Sequence, residues 1–326
     1  MPAQARSPAP QLKHRLLSAG RLPAALLARL AEAYDLVVLP GPEEEAAAFL
    51  AREGAAIDAV VTSAGVGIDA ALIDALPKLR VISSFGVGLD RIDLAHAHRR
   101  GIAVGYTPDV LNDCVADIGF GLLLDVMRGM SAADRFVRRG DWTRGGFGLA
   151  RKISGARLGL VGMGRIGRTI ALRATGFDMP VRYHSRRPVP DLHWQHEPSL
   201  LALARWADAL IVITAGGDGT RHLVDAAVLD ALGPEGFIVN VARGSVIDED
   251  ALVSALVEGR IAGAGLDVYQ QEPDVPPALL ALDNVVLLPH VASGTRETRQ
   301  AMADRVFDNL HSFFAAGHPV SAAPVD

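Results

Sequence analysis

Arg157-Leu-Gly-Leu-Val-Gly-Met-Gly-Arg-Ile-Gly167 carries an apolar run straight into three spaced glycines. Leu158–Val161 reads as a buried parallel strand, and Ile166, Ile170, Ala171 and Ala174 place an apolar face on a following helix. Strand, glycine turn and helix make a dinucleotide-binding turn. In that reading Gly162 permits the tight turn, Gly164 lets main chain approach a pyrophosphate, and Gly167 lets the helix pack close to the strand. The helix N-terminus, led by Arg165, Ile166 and Gly167, then meets the phosphates with its N–H groups and positive dipole end. Three glycines at this spacing are unspecific by themselves; the strand before them and the helix after them give them meaning.

Working outward, two series of short apolar strands alternate with helical segments. The first holds strands at His14–Ser18, Leu36–Leu39, Ala59–Thr62, Val81–Ser84 and Ala103–Tyr106, with helices at Pro23–Ala33, Pro42–Glu53, Asp69–Leu76 and Asp93–Arg100. The second holds strands at Leu158–Val161, Val181–Ser185, Ala209–Ile213, Phe237–Val241, Ala262–Leu266 and Val285–Leu287. This alternation predicts α/β architecture, with two Rossmann-like parallel-sheet domains and the active site in the cleft between them. Val110–Met130 reads as one long helix crossing between the series. Gly294–Phe314 reads as a helix that returns to the first, making that domain discontinuous. The expected division is a flavodoxin-like substrate-binding domain of residues 1–106 and 292–326, and a dinucleotide-binding domain of residues 107–291.

Bulk properties narrow the function. The chain has 326 residues, half of them hydrophobic, so two sizeable cores can be buried. A net charge of −5, with Lys and Arg dispersed, offers no basic footprint for nucleic acid or an anionic membrane. A single cysteine, Cys114, excludes an internal disulfide and a cysteine-rich metal site, and points to a reducing cytoplasm. No Cys/His cluster has zinc-ligand spacing, so no metal site is assigned. No apolar run reaches spanning length, and residues 1–11 read as a loose tail and not as a signal peptide.

An NAD-binding unit usually carries an acidic residue about 20 positions beyond the glycines, on the ribose 2′-hydroxyl. Here Val181-Arg-Tyr-His-Ser-Arg-Arg-Pro188 has none: Ser185, Arg186 and Arg187 occupy that region. A hydroxyl flanked by guanidinium groups suits a 2′-phosphate, which a carboxylate would repel. NADP(H) is therefore preferred, with NAD(H) as the alternative.

Ketone reduction needs a placed proton donor, a partner that orients it, and a cation for the neighbouring carboxylate. Arg243, Glu272 and His290 each stand just past a strand of the second series, where open α/β sheets bind ligands. Taken singly, each could be a surface ion pair, a turn carboxylate or a core histidine.

Their order is what distinguishes them. Gly159-Leu-Val-Gly-Met-Gly-Arg-Ile-Gly167, Val239-Asn-Val-Ala-Arg-Gly-Ser-Val-Ile-Asp-Glu249, Gly265-Leu-Asp-Val-Tyr-Gln-Gln-Glu-Pro273 and Leu287-Leu-Pro-His-Val-Ala-Ser-Gly-Thr295 closely resemble the D-isomer-specific 2-hydroxyacid dehydrogenase family. The resemblance implies that Arg243, Glu272 and His290 are the catalytic arginine, glutamate and histidine. It further implies that Asp267 lies near the nicotinamide, holding its carboxamide. In Ser83-Ser-Phe-Gly-Val-Gly-Leu-Asp90, the Val87 and Gly88 main chain would bind the substrate carboxylate, and Ser293 would add a substrate contact. The Ser-Arg-Arg tract and the His-Val-Ala-Ser-Gly-Thr ending resemble the glyoxylate/hydroxypyruvate reductase branch, which includes 2-ketogluconate reductases and typically uses NADPH. The resemblance implies a homodimer formed through the apolar Val110–Met130 segment, with Trp142 falling where branch members reach a neighbouring subunit's substrate site or anchor an interface. The family also includes nicotinamide-dependent corepressors. That reading is disfavoured by the absence of a long polar or Pro-rich tail after Val306.

Overall fold

A computed structural model describes residues 13–324. The reading of residues 1–11 as a tail lies outside them. The chain forms two units, one ending at Pro108 and resuming at Arg299, the other running from Asp109 to Thr298.

The first unit holds strands β1 (Arg15–Ser18), β2 (Asp35–Val38), β3 (Ala59–Ser63), β4 (Val81–Phe85) and β5 (Ala103–Gly105). They form a parallel five-stranded sheet in the order β2-β1-β3-β4-β5. Helices α1 (Ala24–Ala33), α2 (Glu43–Glu53), α3 (Ala70–Asp74) and α4 (Leu94–Arg99) connect these strands. Side chains alternate across the sheet. Ile82 joins Leu17, Val60, Ile73 and Leu76 in one core, while the Ser83 hydroxyl on the opposite face donates to the Val306 carbonyl, 3.2 Å away.

The second unit begins with α5 (Asn112–Arg128) and α6 (Met130–Arg138), followed by β6 (Leu158–Val161), α7 (Arg165–Thr175), β7 (Val181–His184) and β8 (Gln195–His196). After these come α8 (Leu200–Trp206), β9 (Ala209–Val212), α9 (Ala226–Leu232), β10 (Phe237–Asn240), α10 (Glu249–Val257), β11 (Gly263–Leu266), α11 (Pro277–Leu280) and β12 (Val285–Leu287). The seven-stranded sheet is parallel, in the order β12-β11-β10-β9-β6-β7-β8. Strand order reverses between β6 and β9, the switch point beside which such sheets bind ligands. Strands β6, β9, β10 and β11 are buried along their whole length because helices cover both faces.

The strands follow the expected positions within a residue at each end, with one addition. Strand β8 is two polar residues, Gln195–His196, and carries no hydrophobic signal. Val110–Met130 also differs from expectation. Gly129 takes a left-handed conformation (φ 60°) that ends α5, and α6 starts anew beyond it. The apolar face of α5 is no free surface: Leu122 meets Gly265 and Val126 meets Gly263 in the unit's own sheet. Exposed apolar side chains come later instead, at Met130, Val137, Trp142, Phe147 and Leu149.

The last helix, α12 (Arg296–Ala316), begins in the second unit and continues in the first. The crossing therefore falls at 298/299, beyond the expected 291/292, because Val291 and Ala292 are hydrogen-bonded to Asp267 of the second unit. Further along α12, the buried Asn309 amide donates to Tyr106 O and accepts from Ser321 N. No helix among the described residues is long and apolar enough to cross a membrane.

Space at the glycine turn is tight. A Cβ on Gly162 (φ 111°) would lie 2.9 Å from the main chain of Ile213 and Thr214, and one on Gly167 would lie 2.5 Å from Gly162 O. Overpacking of this kind costs ~1–3 kcal/mol. Gly167→Val is expected to lower the calorimetric unfolding midpoint by several degrees; an unchanged midpoint would mean that α7 can move off the strand.

Candidate active site

Loops leaving the carboxyl ends of parallel strands build the site in the second unit. Helices α3, α4, α8, α9 and α10 are capped by Asp69, Asp93, Ser199, Asp225 and Asp248, each accepting a main-chain N–H three residues on. Helix α7, preceded by Gly164, has no side-chain cap, and neither have α1, α2, α5, α6 and α11. A Cβ on Gly164 would meet nothing within 4 Å. An eleven-residue helix thus presents an uncapped N-terminus toward open space, which fits a dinucleotide pyrophosphate. Gly167 lies so close to Gly162 O that α7 packs directly behind the turn. Ile166 is half-buried in the first turn. Arg165 is exposed there and bonds Asp109 at 2.8 Å.

Beyond β7, Ser185 is half-buried while Arg186 and Arg187 are exposed. The Ser185 hydroxyl donates to Arg187 O at 2.6 Å. As a donor it serves the turn itself, and its oxygen remains an acceptor.

Strands β10, β11 and β12 are neighbours in the sheet, and the loops after them bring together residues far apart in sequence. Glu272, from the loop after β11, bonds His290, from the loop after β12: Nδ1 to Oε2 is 2.6 Å. Their side chains are 35 % and 45 % exposed, open enough for His290 to meet a ligand. Burial opposes the charge on Glu272. The hydrogen bond and charge of His290, the Tyr269 N–H at 3.2 Å and the Arg243 guanidinium outweigh it and hold the carboxyl below its usual range. Arg243, half-buried after β10, donates to Ala242 O at 2.8 Å. An apolar cavity of about 240 Å³, lined in part by Val275, Leu280, Leu287 and Pro289, lies beside the pair.

His290 adopts a left-handed main chain (φ 52°), uncommon without glycine. Asp267 accounts for it. This fully buried carboxylate accepts Val291 N at 2.7 Å on one oxygen and Ala292 N at 2.9 Å on the other. Burial pushes its pKa up, against the pull of those two N–H groups and the charge of His290. Asp267, expected to hold a nicotinamide carboxamide, thus fastens the loop that presents His290. Ser293 is half-buried in the same turn.

Two residues that the sequence reading did not assign to the site shape it. The buried Asn240 side chain accepts Ala242 N and donates to Arg243 O, both at 3.0 Å, and so sets the Arg243 loop. An asparagine closing a buried apolar strand was the available signal. The Tyr269 hydroxyl donates to Leu288 O at 3.0 Å, joining the Glu272 loop to the His290 strand. Burial, then the charges of Asp267 and Glu272, push its pKa up to about 12, so it stays a donor. No sequence spacing signals that bond.

In the first unit, Val87 and Gly88 follow β4 in an irregular turn begun by Gly86, whose carbonyl accepts Thr107 N at 3.0 Å. Trp142 sits on a short helical turn, Asp141–Thr143, and is 69 % exposed.

Comparison with known proteins matches residues 120–292 to the D-isomer specific 2-hydroxyacid dehydrogenase, NAD binding domain, model. A hydroxyphenylpyruvate reductase of Plectranthus scutellarioides is 50% identical over 272 residues, 83% of this chain and 87% of that protein. The chain belongs to the D-isomer-specific 2-hydroxyacid dehydrogenase family. The dehydrogenase is also 48% identical to a 2-ketogluconate reductase of Gluconobacter oxydans over 259 residues, 79% of this chain and 84% of the relative. Among solved structures it resembles an NADPH-dependent glyoxylate/hydroxypyruvate reductase of Sinorhizobium meliloti in complex with NADP and malonate. That match has a TM-score of 0.90 at 42% identity, covering 95% of this chain and 97% of the other.

The lowered pKa of Glu272 has a definite sign. Its stabilising effect is present above the ordinary carboxylate range and is lost as pH falls through the lowered value. In Glu272→Gln the thermal-midpoint gap to wild type should therefore close in acid. Calorimetric midpoints of both proteins across the acid range check this. Superimposable profiles would remove Glu272 from the site.

Proposed function

We propose that the dehydrogenase reduces small 2-keto acids, such as glyoxylate, hydroxypyruvate or 2-ketogluconate, to D-2-hydroxy acids, using NADPH. The 2.6 Å bond between His290 and Glu272 carries this reading. A carboxylate on Nδ1 fixes that nitrogen as the donor and leaves Nε2–H of the imidazolium to protonate a developing alkoxide. When bound, NADPH supplies the hydride to C2.

Arg243 binds the substrate carboxylate and polarises the carbonyl. The Val87 and Gly88 N–H groups and the Ser293 hydroxyl supply further oxygen contacts. Asp267 keeps His290 in its left-handed presentation.

NADPH is preferred on the chemistry of the turn after β7, where no carboxylate stands and two exposed arginines do. The NADP-bound Sinorhizobium reductase supports this preference, and the names of the relatives support a 2-keto acid substrate. Homodimerisation belongs to the same reading, supported by the exposed Met130, Val137, Trp142, Phe147 and Leu149 side chains.

Steady-state assays with glyoxylate, hydroxypyruvate and 2-ketogluconate, each with NADPH and NADH, test the proposal; no turnover with any of them would overturn it. His290→Ala should lower kcat at least ~10²-fold, the scale of a lost acid–base group, and near-normal turnover would exclude it as proton donor. Arg186→Ala should raise KM for NADPH selectively. An equal rise for NADH would deny contact with the 2′-phosphate.

A further inference from the structure

The turn expected to face the 2′-phosphate is held from beneath by residues with no assigned role. Strand β8 adds itself to β7 with Tyr183 opposite His196, and Glu197 N donates to Tyr183 O at 2.7 Å. His196 Nε2 lies 3.0 Å from Ser185 O, and His184 Nδ1 lies 3.0 Å from Glu197 O. A carbonyl only accepts, so both nitrogens carry the proton in these bonds. The Tyr183 ring is 2% exposed, lies 5.2 Å from the His196 ring, and its oxygen accepts Val189 N at 2.9 Å.

Main chain between Ser185 and Val189 is therefore fastened at three points: Ser185 O by His196, Arg187 O by the Ser185 hydroxyl, and Val189 N by Tyr183. With its main chain held, this turn keeps Arg186 and Arg187 outside and exposed. Two long cationic side chains on a fixed turn lose less freedom on meeting an anion than the same pair on a loose loop.

We propose that His196 and Tyr183 are positioning residues for cofactor selectivity. They hold the Ser185–Arg187 turn in the form that receives a 2′-phosphate, without touching the phosphate themselves. This rests on the NADPH reading given above.

Isothermal titration of the full-length enzyme with adenosine 2′,5′-bisphosphate and with adenosine 5′-monophosphate separates the two ideas. His196→Ala and Tyr183→Phe should each weaken bisphosphate binding about three- to tenfold, the effect of one hydrogen bond, and leave monophosphate binding unchanged. His196→Gln, whose amide can still donate to Ser185 O, should recover most of the loss. The same split should appear as a raised KM for NADPH at unchanged kcat. Equal weakening of both ligands, or of neither, would overturn the proposal. If Arg186→Ala abolishes the wild-type preference for the bisphosphate while His196→Ala and Tyr183→Phe keep it, only the positioning role fails. If wild type shows no such preference, the NADPH reading fails and the positioning role with it.

Discussion

At Gly162 the main chain leaving β6 passes so near Ile213 and Thr214, beyond β9, that no side chain can stand between them. Much of the second unit depends on that approach. It brings the first strand of the unit against the fourth at the point where strand order reverses, and lets α7 start immediately behind the turn. Because α7 has no side-chain cap, its N-terminal dipole end is left for a phosphate. One steric constraint thus governs both the close approach of β6 to the chain beyond β9 and the placement of α7.

The part of the site built by Arg243, Glu272 and His290 rests on a different kind of restraint. Three adjacent parallel strands release their chains at the same sheet edge, so Arg243, Glu272 and His290 converge without being near in sequence. Convergence alone does not set orientation. The Asp267 carboxylate does this for His290 by taking the next two N–H groups, and Asn240 does it for Arg243 through an amide that both accepts and donates. Tyr269 ties the two later loops together. Buried polar groups require partners, and here the partners are the main chain of the loops that carry Arg243, Glu272 and His290.

Which parts were readable in advance follows from how far their causes reach. The buried strands are short apolar runs in a parallel sheet covered on both faces, and Leu158–Val161 and Val285–Leu287 appear where expected. Strand β8 escaped because two polar residues at a sheet edge bury almost nothing. The helix break at Gly129 had a visible cause in glycine, but a long apolar run masked it. Hydrophobicity does not tell an internal partner from an external one, and in that run Leu122 and Val126 find theirs in the unit's own sheet. The crossing after β12 fell later than expected because Asp267 retains Val291 and Ala292 in the second unit.

By itself the sequence determined the α/β class, the dinucleotide turn, the missing acid after β7 and the ordered set of Arg243, Glu272 and His290. These depend on local periodicity, glycine spacing and residue type, which act over a few positions. Only the tertiary structure decided that Glu272 and His290 meet at 2.6 Å, that Asp267 serves the His290 loop, and that His196 fastens the turn at Ser185. Those bonds join residues 11 to 24 positions apart, and their partners are main-chain groups or side chains on neighbouring strands. Linear spacing carries no record of them, because strand order and register, not sequence distance, set which groups come within hydrogen-bonding reach.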